Sequence, residues 1–250
     1  MLQVEASLPT GAVLGQLRPA LADVIHPAGA IWLQGQADRF MQEGGHVTDW
    51  YSNGPTAVQA EPNIGNTALS GTALQLIPER HCGFTIPHIT GNAAQFTMAI
   101  LYSGDDPRTL LTLNTSTPKS APDVSNYLFL SHTDDTITVK DTHDGISLTA
   151  PAQPTSGKRL AIVTLSGHEL ALTQGLSDPV TIKGSTIGFD APADLFIGCR
   201  SHRKGLLKTL GNAQIHDVIF WPNHTLLLPR TATDVAQYTA LKQFYLWGAG

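Results

Sequence analysis

Short apolar stretches separated by turn residues dominate this sequence and limit the folds that it can adopt. Roughly a dozen such stretches follow one another between positions 69 and 182, each bounded by Gly, Pro, Asp or Ser. No helical pattern interrupts them, so the chain lacks the alternation of strand and helix that parallel sheets require. Glycine (23 residues) and proline (16) are frequent and only 14% of the residues are charged, as expected for many strands joined by turns. We therefore predict an all-β protein built as a two-sheet antiparallel sandwich.

Turn signals and one amphipathic segment complete the predicted layout. Asp144-Gly145 and Ser166-Gly167-His168 stand between alternating stretches and predict two hairpins. From about Thr231 to Trp247 apolar residues recur at steps of three and four, which predicts a short C-terminal helix. We expect this helix to be the only one in the protein.

The first 27 residues differ from the rest because they contain little strand pattern. Pro9 and Gly11 punctuate this stretch, and Pro19 interrupts a helix-like spacing of leucines. No repeat or linker divides the remainder of the chain. We predict an N-terminal arm at 1–27, a candidate docking segment, followed by a single domain at 28–250.

Two parts of the chain resemble a known family. The first part is Ala30-Ile-Trp-Leu33, followed by a Trp-containing segment at 45–54 and by Leu69-Ser-Gly-Thr-Ala-Leu-Gln-Leu76. The second is Leu195-Phe-Ile-Gly198, then a strand ending at Trp221, then the helix. In this order they resemble laminin-G-like jelly rolls of the concanavalin A type, found in bacterial and phage proteins. The resemblance implies a jelly-roll sandwich that holds sugars or other surface ligands.

Charge, cysteine content and the N-terminus bound the partners and the compartment. The formal net charge is −5 with a pI near 6.0, and no basic tract interleaved with aromatic residues appears, which disfavours nucleic acid. The N-terminus lacks a charged region followed by an apolar run, and no stretch is long enough to span a bilayer. We expect a protein without a Sec signal, made in the cytoplasm, with no membrane partner. Cys82 and Cys199 are either buried free thiols or one bridge between neighbouring strands.

Catalytic motifs are missing from the sequence. Glucanases of this fold carry paired carboxylates at alternate positions of one strand, and no Glu-x-Asp-x-Glu spacing occurs here. No Gly-x-Ser-x-Gly elbow or phosphate loop is present either. We therefore predict that the chain is not an enzyme. A polysaccharide lyase or glycoside hydrolase of the same fold stays open as the alternative, with Tyr127, His132 or the Arg200-Ser-His-Arg203 cluster as the source of a base.

Metal ligation has weak support in the sequence. The 10 histidines form no pair at chelating spacing, and a zinc site would need His81-Cys82 to meet Cys199 and His202. Calcium suits the resembled family better, and Asp105 and Asp106 are its candidate ligands. The alternative is that these aspartates shape turns. No other cofactor is predicted.

A sugar ligand needs an aromatic ring beside groups that bind hydroxyls. Trp32, Trp50 and Trp221 lie in apolar strands and are expected in the core. The candidate ligand-binding residues next to loops are Tyr102, Tyr127, His132, Arg200, His202 and Arg203.

The leading functional hypothesis is a non-catalytic carbohydrate-binding or adhesion protein. Together with the missing signal, the arm fits a receptor-binding spike, fibre or decoration component of a phage-like particle, such as a gene transfer agent. Its expected partners are a cell-surface or capsular polysaccharide and, through the arm, a particle or capsid protein. A homo-oligomer is compatible with this hypothesis, and a purely structural assembly domain is a further alternative.

Overall fold

The computed structural model describes residues 17–115, 126–142, 145–153, 157–184, 188–202, 204–205 and 207–248. Within them it contains sixteen strands, which pair only in antiparallel fashion, and two α-helices. The helices are α1 (Leu17–Ile25) and α2 (Ala232–Gly248). The strands are β1 (Ile31–Gln34), β2 (Phe40–Glu43), β3 (His46–Trp50), β4 (Ala57–Gln59), β5 (Ala68–Ser70), β6 (Ala73–Leu76), β7 (Phe84–Thr90), β8 (Gln95–Asn114), β9 (Tyr127–Thr133), β10 (Thr136–Asp141), β11 (Ser147–Pro151), β12 (Arg159–Ser166), β13 (Glu169–Gln174), β14 (Val180–Lys183), β15 (Ala193–Ile197) and β16 (Leu210–Pro222). The predicted all-β sandwich with a C-terminal helix is confirmed.

The long strand β8 belongs to both layers of the sandwich. Its first part pairs with β12 and β16, and its last part pairs with β9 and β15. The change of layer needs Gly104, whose φ is 131°. A Cβ at this position would lie 2.4 Å from the carbonyl oxygen of Asn212, so the close approach of the two strands excludes any side chain.

Two sheets result from this arrangement, and we name them by what covers their outer faces. The open sheet has the strand order β11-β10-β9-β8-β15-β7-β4-β3-β2. The helix-covered sheet has the order β14-β13-β12-β8-β16, with β1 and β6 pairing with β16 and β5 pairing with β6. The main hydrophobic core, which includes Phe96, Leu130 and Phe220, lies between the two sheets. Trp32, Trp50 and Trp221 are fully buried, as predicted.

The N-terminal region departs from the prediction in that it contains a second helix. Residues 1–16 lie outside the described part of the chain, but α1 follows them and packs against α2. The prediction that Pro19 prevents a helix here is wrong. Pro19 instead lies in the first turn of α1, where a missing N–H leaves no intrahelical hydrogen bond unmade. The docking role of the arm stays a prediction.

Local predictions at turns and cysteines have separate outcomes. β12 and β13 pair around Ser166 and Glu169, with φ of 62° at Gly167, which confirms that hairpin. Asp144 lies outside the described residues. Both cysteines are buried free thiols. Neither described helix is long and apolar enough to cross a membrane.

Candidate functional site

The outer face of the helix-covered sheet is closed by α1 and α2. A second hydrophobic cluster fills the space between them and includes Trp32, Trp221, Leu241 and Phe244. The Trp32 and Phe244 rings meet edge to face with centroids 5.6 Å apart. The two helices and this cluster therefore cover the part of the outer face that is formed by β1, β8, β12 and β16.

A buried ion pair joins α1 to this face. The Arg18 guanidinium donates two hydrogen bonds to the carboxylate of Asp217, at 2.5 and 3.0 Å. Asp217 is 2% exposed and also accepts hydrogen bonds from Trp32 Nε1 and the Gly35 amide. Burial raises the pKa of Asp217, and the Arg18 guanidinium opposes that rise. The guanidinium carbon of Arg18 also lies 5.5 Å from the centroids of both the Trp32 and Phe244 rings.

The outer face of the open sheet carries a row of cross-strand partners that spans all nine strands. Each residue of this row is the register partner of the next one on the adjacent strand, so their side chains lie side by side on one face. The row runs through Ser147, Lys140, Phe129, Thr112, Phe196, Thr85, Val58, Asp49 and Met41.

The segment that follows β15 crosses the middle of this row. The Thr112 hydroxyl donates a hydrogen bond of 3.2 Å to the carbonyl of Cys199, and the ring of His202 meets Phe196 edge to face at 5.0 Å. Phe196 is therefore only 2% exposed although it faces outward. Gly198, with φ of 68°, starts the crossing in a conformation that favours glycine. The crossing separates a β9–β11 side from a β2–β4 side.

On the β9–β11 side lies the basic–aromatic surface, which we define as Tyr127, Phe129, Lys140 and Arg200. Arg200 Nη2 donates a hydrogen bond of 2.5 Å to the Tyr127 hydroxyl. Its guanidinium carbon lies 4.0 Å from the Phe129 ring centroid and 5.0 Å from that of Tyr127. The Lys140 ammonium lies 5.7 Å from the Phe129 centroid. Two cations thus share one aromatic ring, and Phe129, 8% exposed, supports them from below.

Hydroxyl groups border this surface. Thr138 and Thr149 face outward on β10 and β11, and their hydroxyls form a hydrogen bond of 3.0 Å with each other. Ser131 is the register partner of Thr138 on β9. Cations held over rings beside exposed hydroxyls can bind polar and anionic groups of a ligand while the half-buried Tyr127 ring meets an apolar patch.

Tyr102 and His132 are also brought together, but inside the protein, which corrects their prediction as surface ligand residues. Tyr102 is fully buried and His132 is 3% exposed. The Tyr102 hydroxyl lies 2.9 Å from His132 Nδ1 and accepts a hydrogen bond of 2.6 Å from Gln174 Nε2. The physical reason is strand alternation, because both residues fall on the core side of β8 and β9. A sugar cannot reach either ring.

The hydrogen bonds of His132 determine its protonation state. His132 Nε2 faces the carbonyl of Asp134 at 3.1 Å, and a carbonyl only accepts, so this nitrogen carries the proton. Nδ1 then accepts from Tyr102. Burial lowers the pKa of His132, and the positive charge of Arg159 lowers it further. Burial likewise raises the pKa of Tyr102, so both groups are neutral at pH 7.

The remaining predicted residues have three different outcomes. His202 is exposed and lies over Phe196, two strands from Phe129, whereas Arg203 lies outside the described residues. Asp105 accepts a hydrogen bond from Asn212, and Asp106 accepts one from Arg108. No group of three His, Cys, Asp or Glu side chains in the described ranges is arranged to hold a metal ion. The calcium prediction therefore gains no support and stays a prediction.

Sequence reasoning missed Phe129 and Lys140. The two-residue step from Tyr127 to Phe129 on one predicted strand was the available signal, because alternate residues share a face. Lys140 had no such signal, since its place beside Phe129 depends on the register of β9 and β10.

Comparisons with known proteins identify the fold. No protein-family model and no curated protein sequence matches the chain. Trypanosoma rangeli sialidase in complex with sialic acid matches at 14% identity and a TM-score of 0.57, covering 85% of this chain and 32% of that protein. The same sialidase with 2,3-difluorosialic acid, as a covalent intermediate, matches at 16% identity and 0.55 with the same coverage. Ruminococcus gnavus IT-sialidase CBM40 bound to α2,3 sialyllactose matches at 13% identity and a TM-score of 0.44, covering 60% of this chain and 84% of that protein.

The two sialidase matches show the β-sandwich fold, and the chain spans about a third of the length of the sialidases. They also correct the prediction that the chain is not an enzyme. That prediction rested on the missing carboxylates of glucanases, whereas the sialidases that match this chain over 32% of their length are enzymes but not glucanases. The missing motif excludes one class of hydrolase and does not exclude catalysis. The laminin-G-like assignment, which no family model matches, stays a prediction.

Proposed function

We propose that this protein binds carbohydrate on the outer face of the open sheet, at the basic–aromatic surface. The observation that carries the proposal is the position of Arg200. Its guanidinium lies over the Phe129 ring and is held there by the Tyr127 hydroxyl. An orientation held in this way lowers the entropy lost when a ligand binds.

Two further observations support this surface over the rest of the molecule. On the opposite outer face α1 and α2 cover β1, β8, β12 and β16, whereas the open sheet presents a row of side chains across nine strands. The bordering Ser131, Thr138 and Thr149 supply hydroxyls that can exchange hydrogen bonds with sugar hydroxyls. The sialidase from Trypanosoma rangeli, 32% of whose length matches this chain, has sialic acid bound.

The test is binding of the purified chain to an array of neutral and acidic polysaccharides, followed by titration calorimetry of those that bind. Phe129→Ala removes the ring beneath both cations, and we expect about tenfold weaker binding. Val58→Ala is the matched control, because Val58 belongs to the same cross-strand row on the far side of the crossing segment. Absence of binding to every polysaccharide, or equal losses in the two variants, would contradict the proposal.

The setting of this binding is proposed to be the surface of a phage-like particle, to which residues 1–16 attach the chain. Support comes from α1, which follows these residues and is joined to the sandwich by the ion pair between Arg18 and Asp217. Deleting residues 1–16 should leave polysaccharide binding unchanged and abolish recovery of the chain with particles purified from the producing cells. Recovery of the shortened chain at the full level would contradict this role.

A further inference from the structure

We propose that the ligand of the basic–aromatic surface carries carboxylate groups, so that the preferred carbohydrate is a polyanion such as a uronic or sialic acid polymer. This inference rests on the proposed function and names its class of ligand. Three observations on the same surface support it: local charge, cations without ionic partners, and the geometry of one guanidinium.

The local charge opposes that of the whole chain. The protein has a formal net charge of −5, with 15 Lys and Arg against 20 Asp and Glu. The basic–aromatic surface nevertheless brings two cationic side chains together, because Arg200 and Lys140 both lie against the Phe129 ring. A cationic area on an acidic protein attracts anions selectively, since the remaining surface repels them.

The two cations on Phe129 have no anionic partner within the described part of the chain. The salt bridges found there join other residues and include neither Arg200 nor Lys140. Both cations approach one ring, at 4.0 and 5.7 Å from its centroid, so the two like charges repel each other. An anion bound between them would relieve this repulsion.

The geometry of Arg200 favours a carboxylate over a point-like anion. Its Nε is buried and out of reach of a ligand, so the donors that a ligand can use are those of the two terminal Nη groups. Nη2 already donates to the Tyr127 hydroxyl, which fixes the plane of the guanidinium. In that plane the two Nη groups present parallel N–H donors whose spacing matches the two oxygens of a carboxylate.

The experiment compares polymers that differ only in their acid groups. The probes are polygalacturonate, alginate, hyaluronan and polysialic acid, each beside its carboxyl-reduced form, in which every carboxylate has become a primary alcohol. Dextran and dextran sulfate complete the set. Titration of the full chain at low salt should show at least tenfold tighter binding to one acid polymer than to its reduced form. Raising the salt concentration should weaken that binding.

Variants assign the effect to this surface. Arg200→Gln should remove at least tenfold of the affinity for the acid polymer and leave any weak binding to the reduced form unchanged. Arg230→Gln, an exposed arginine next to α2, is the matched control and should bind as the unmodified chain does. Lys140→Gln is the second variant. Lys140 lies on β10, outside the crossing segment, so this variant removes a positive charge from the same surface even if Arg200→Gln folds poorly.

Each outcome has a defined meaning. Equal binding to acid and reduced polymers, or tighter binding to dextran sulfate than to any carboxylated polymer, would overturn this inference and leave the proposed function intact. Equal losses for Arg200→Gln and Arg230→Gln, with Lys140→Gln unaffected, would also overturn it. Absence of binding to every polymer, neutral or acidic, would overturn the proposed function together with this inference.

Discussion

Arg200 and Tyr127 are 73 residues apart in the chain, yet Arg200 Nη2 donates a hydrogen bond of 2.5 Å to the Tyr127 hydroxyl. The contact exists because β9 and β15 both pair with the last part of β8, and because the segment after β15 folds back over the open sheet. The position of this guanidinium is therefore a property of the sheet topology.

Tyr127→Phe keeps the ring and removes the hydroxyl that orients Arg200. We expect the affinity for the glycan ligand to fall about fivefold, the value of one hydrogen bond worth about 1 kcal/mol. Titration calorimetry measures this change. Tyr51→Phe removes an exposed hydroxyl that donates to Met41 Sδ on the β2–β4 side of the crossing segment, and it should leave the affinity unchanged. Equal affinities of Tyr127→Phe and the unmodified chain would show that the hydroxyl does not position Arg200.

Tyr102→Phe tests the assignment of Tyr102 to the interior. Without its hydroxyl, His132 Nδ1 loses a donor and Gln174 Nε2 loses an acceptor, both in a buried place. The free energy of unfolding should fall by about 1 to 3 kcal/mol, measured by urea denaturation. Glycan affinity should not change. A loss of affinity without a loss of stability would place Tyr102 at the ligand instead.

Arg18→Met breaks the ion pair with Asp217 and leaves a buried carboxylate without a cation. We expect the free energy of unfolding to fall by about 3 kcal/mol. Adding Asp217→Asn removes the uncompensated charge, so the double variant should be more stable than Arg18→Met alone. If the double variant is instead the less stable of the two, the carboxylate is not the source of the loss.

His216 predicts a dependence of stability on pH. Burial, with the charges of Lys158 and Arg18, lowers its pKa from 6.5 to about 4, and its Nε2 lies 2.9 Å from the Ser103 hydroxyl. The unfolded chain therefore binds a proton at a higher pH than the folded chain does. The stability that His216 contributes by staying neutral is fully present above pH 6.5, and it is lost as the pH drops from 6.5 towards 4.

The contribution of His216 to this loss is about 2 kcal/mol, somewhat below the full value of the shift because the ring is partly exposed. Urea denaturation at several pH values measures it. His216→Gln keeps a hydrogen-bonding side chain without a titrating ring, so its stability should depend less on pH in this range. Parallel pH profiles for the two proteins would contradict the assignment.

The sequence predicted the layers of this fold well because strand alternation and turn residues are local signals. Gly167 marks its hairpin, and the Thr231 region begins α2 as expected. Helix α1 was missed because most of its stability comes from packing against α2 and from Arg18, which are contacts distant in sequence.

The candidate site was predicted in part for the same reason. Tyr127 and Arg200 were chosen by residue type, and the structure brings them together. Tyr102 was chosen by residue type as well, but its side of β8 depends on how that strand changes layers at Gly104. The pairing of Lys140 with Phe129 depends on the register of the β9–β10 hairpin, whose turn is formed by residues 134 and 135. The residue types at these two positions do not determine that register.

Nuclear magnetic resonance during titration with a polymer that the array identifies locates the carbohydrate on the protein. If the polymer binds the open sheet, the chemical shift changes should be largest at the amides of Tyr127, Phe129 and Arg200, with a response at the Arg200 guanidinium. Changes concentrated in α1 and α2, or none anywhere at saturating polymer, would show that carbohydrate does not bind this face.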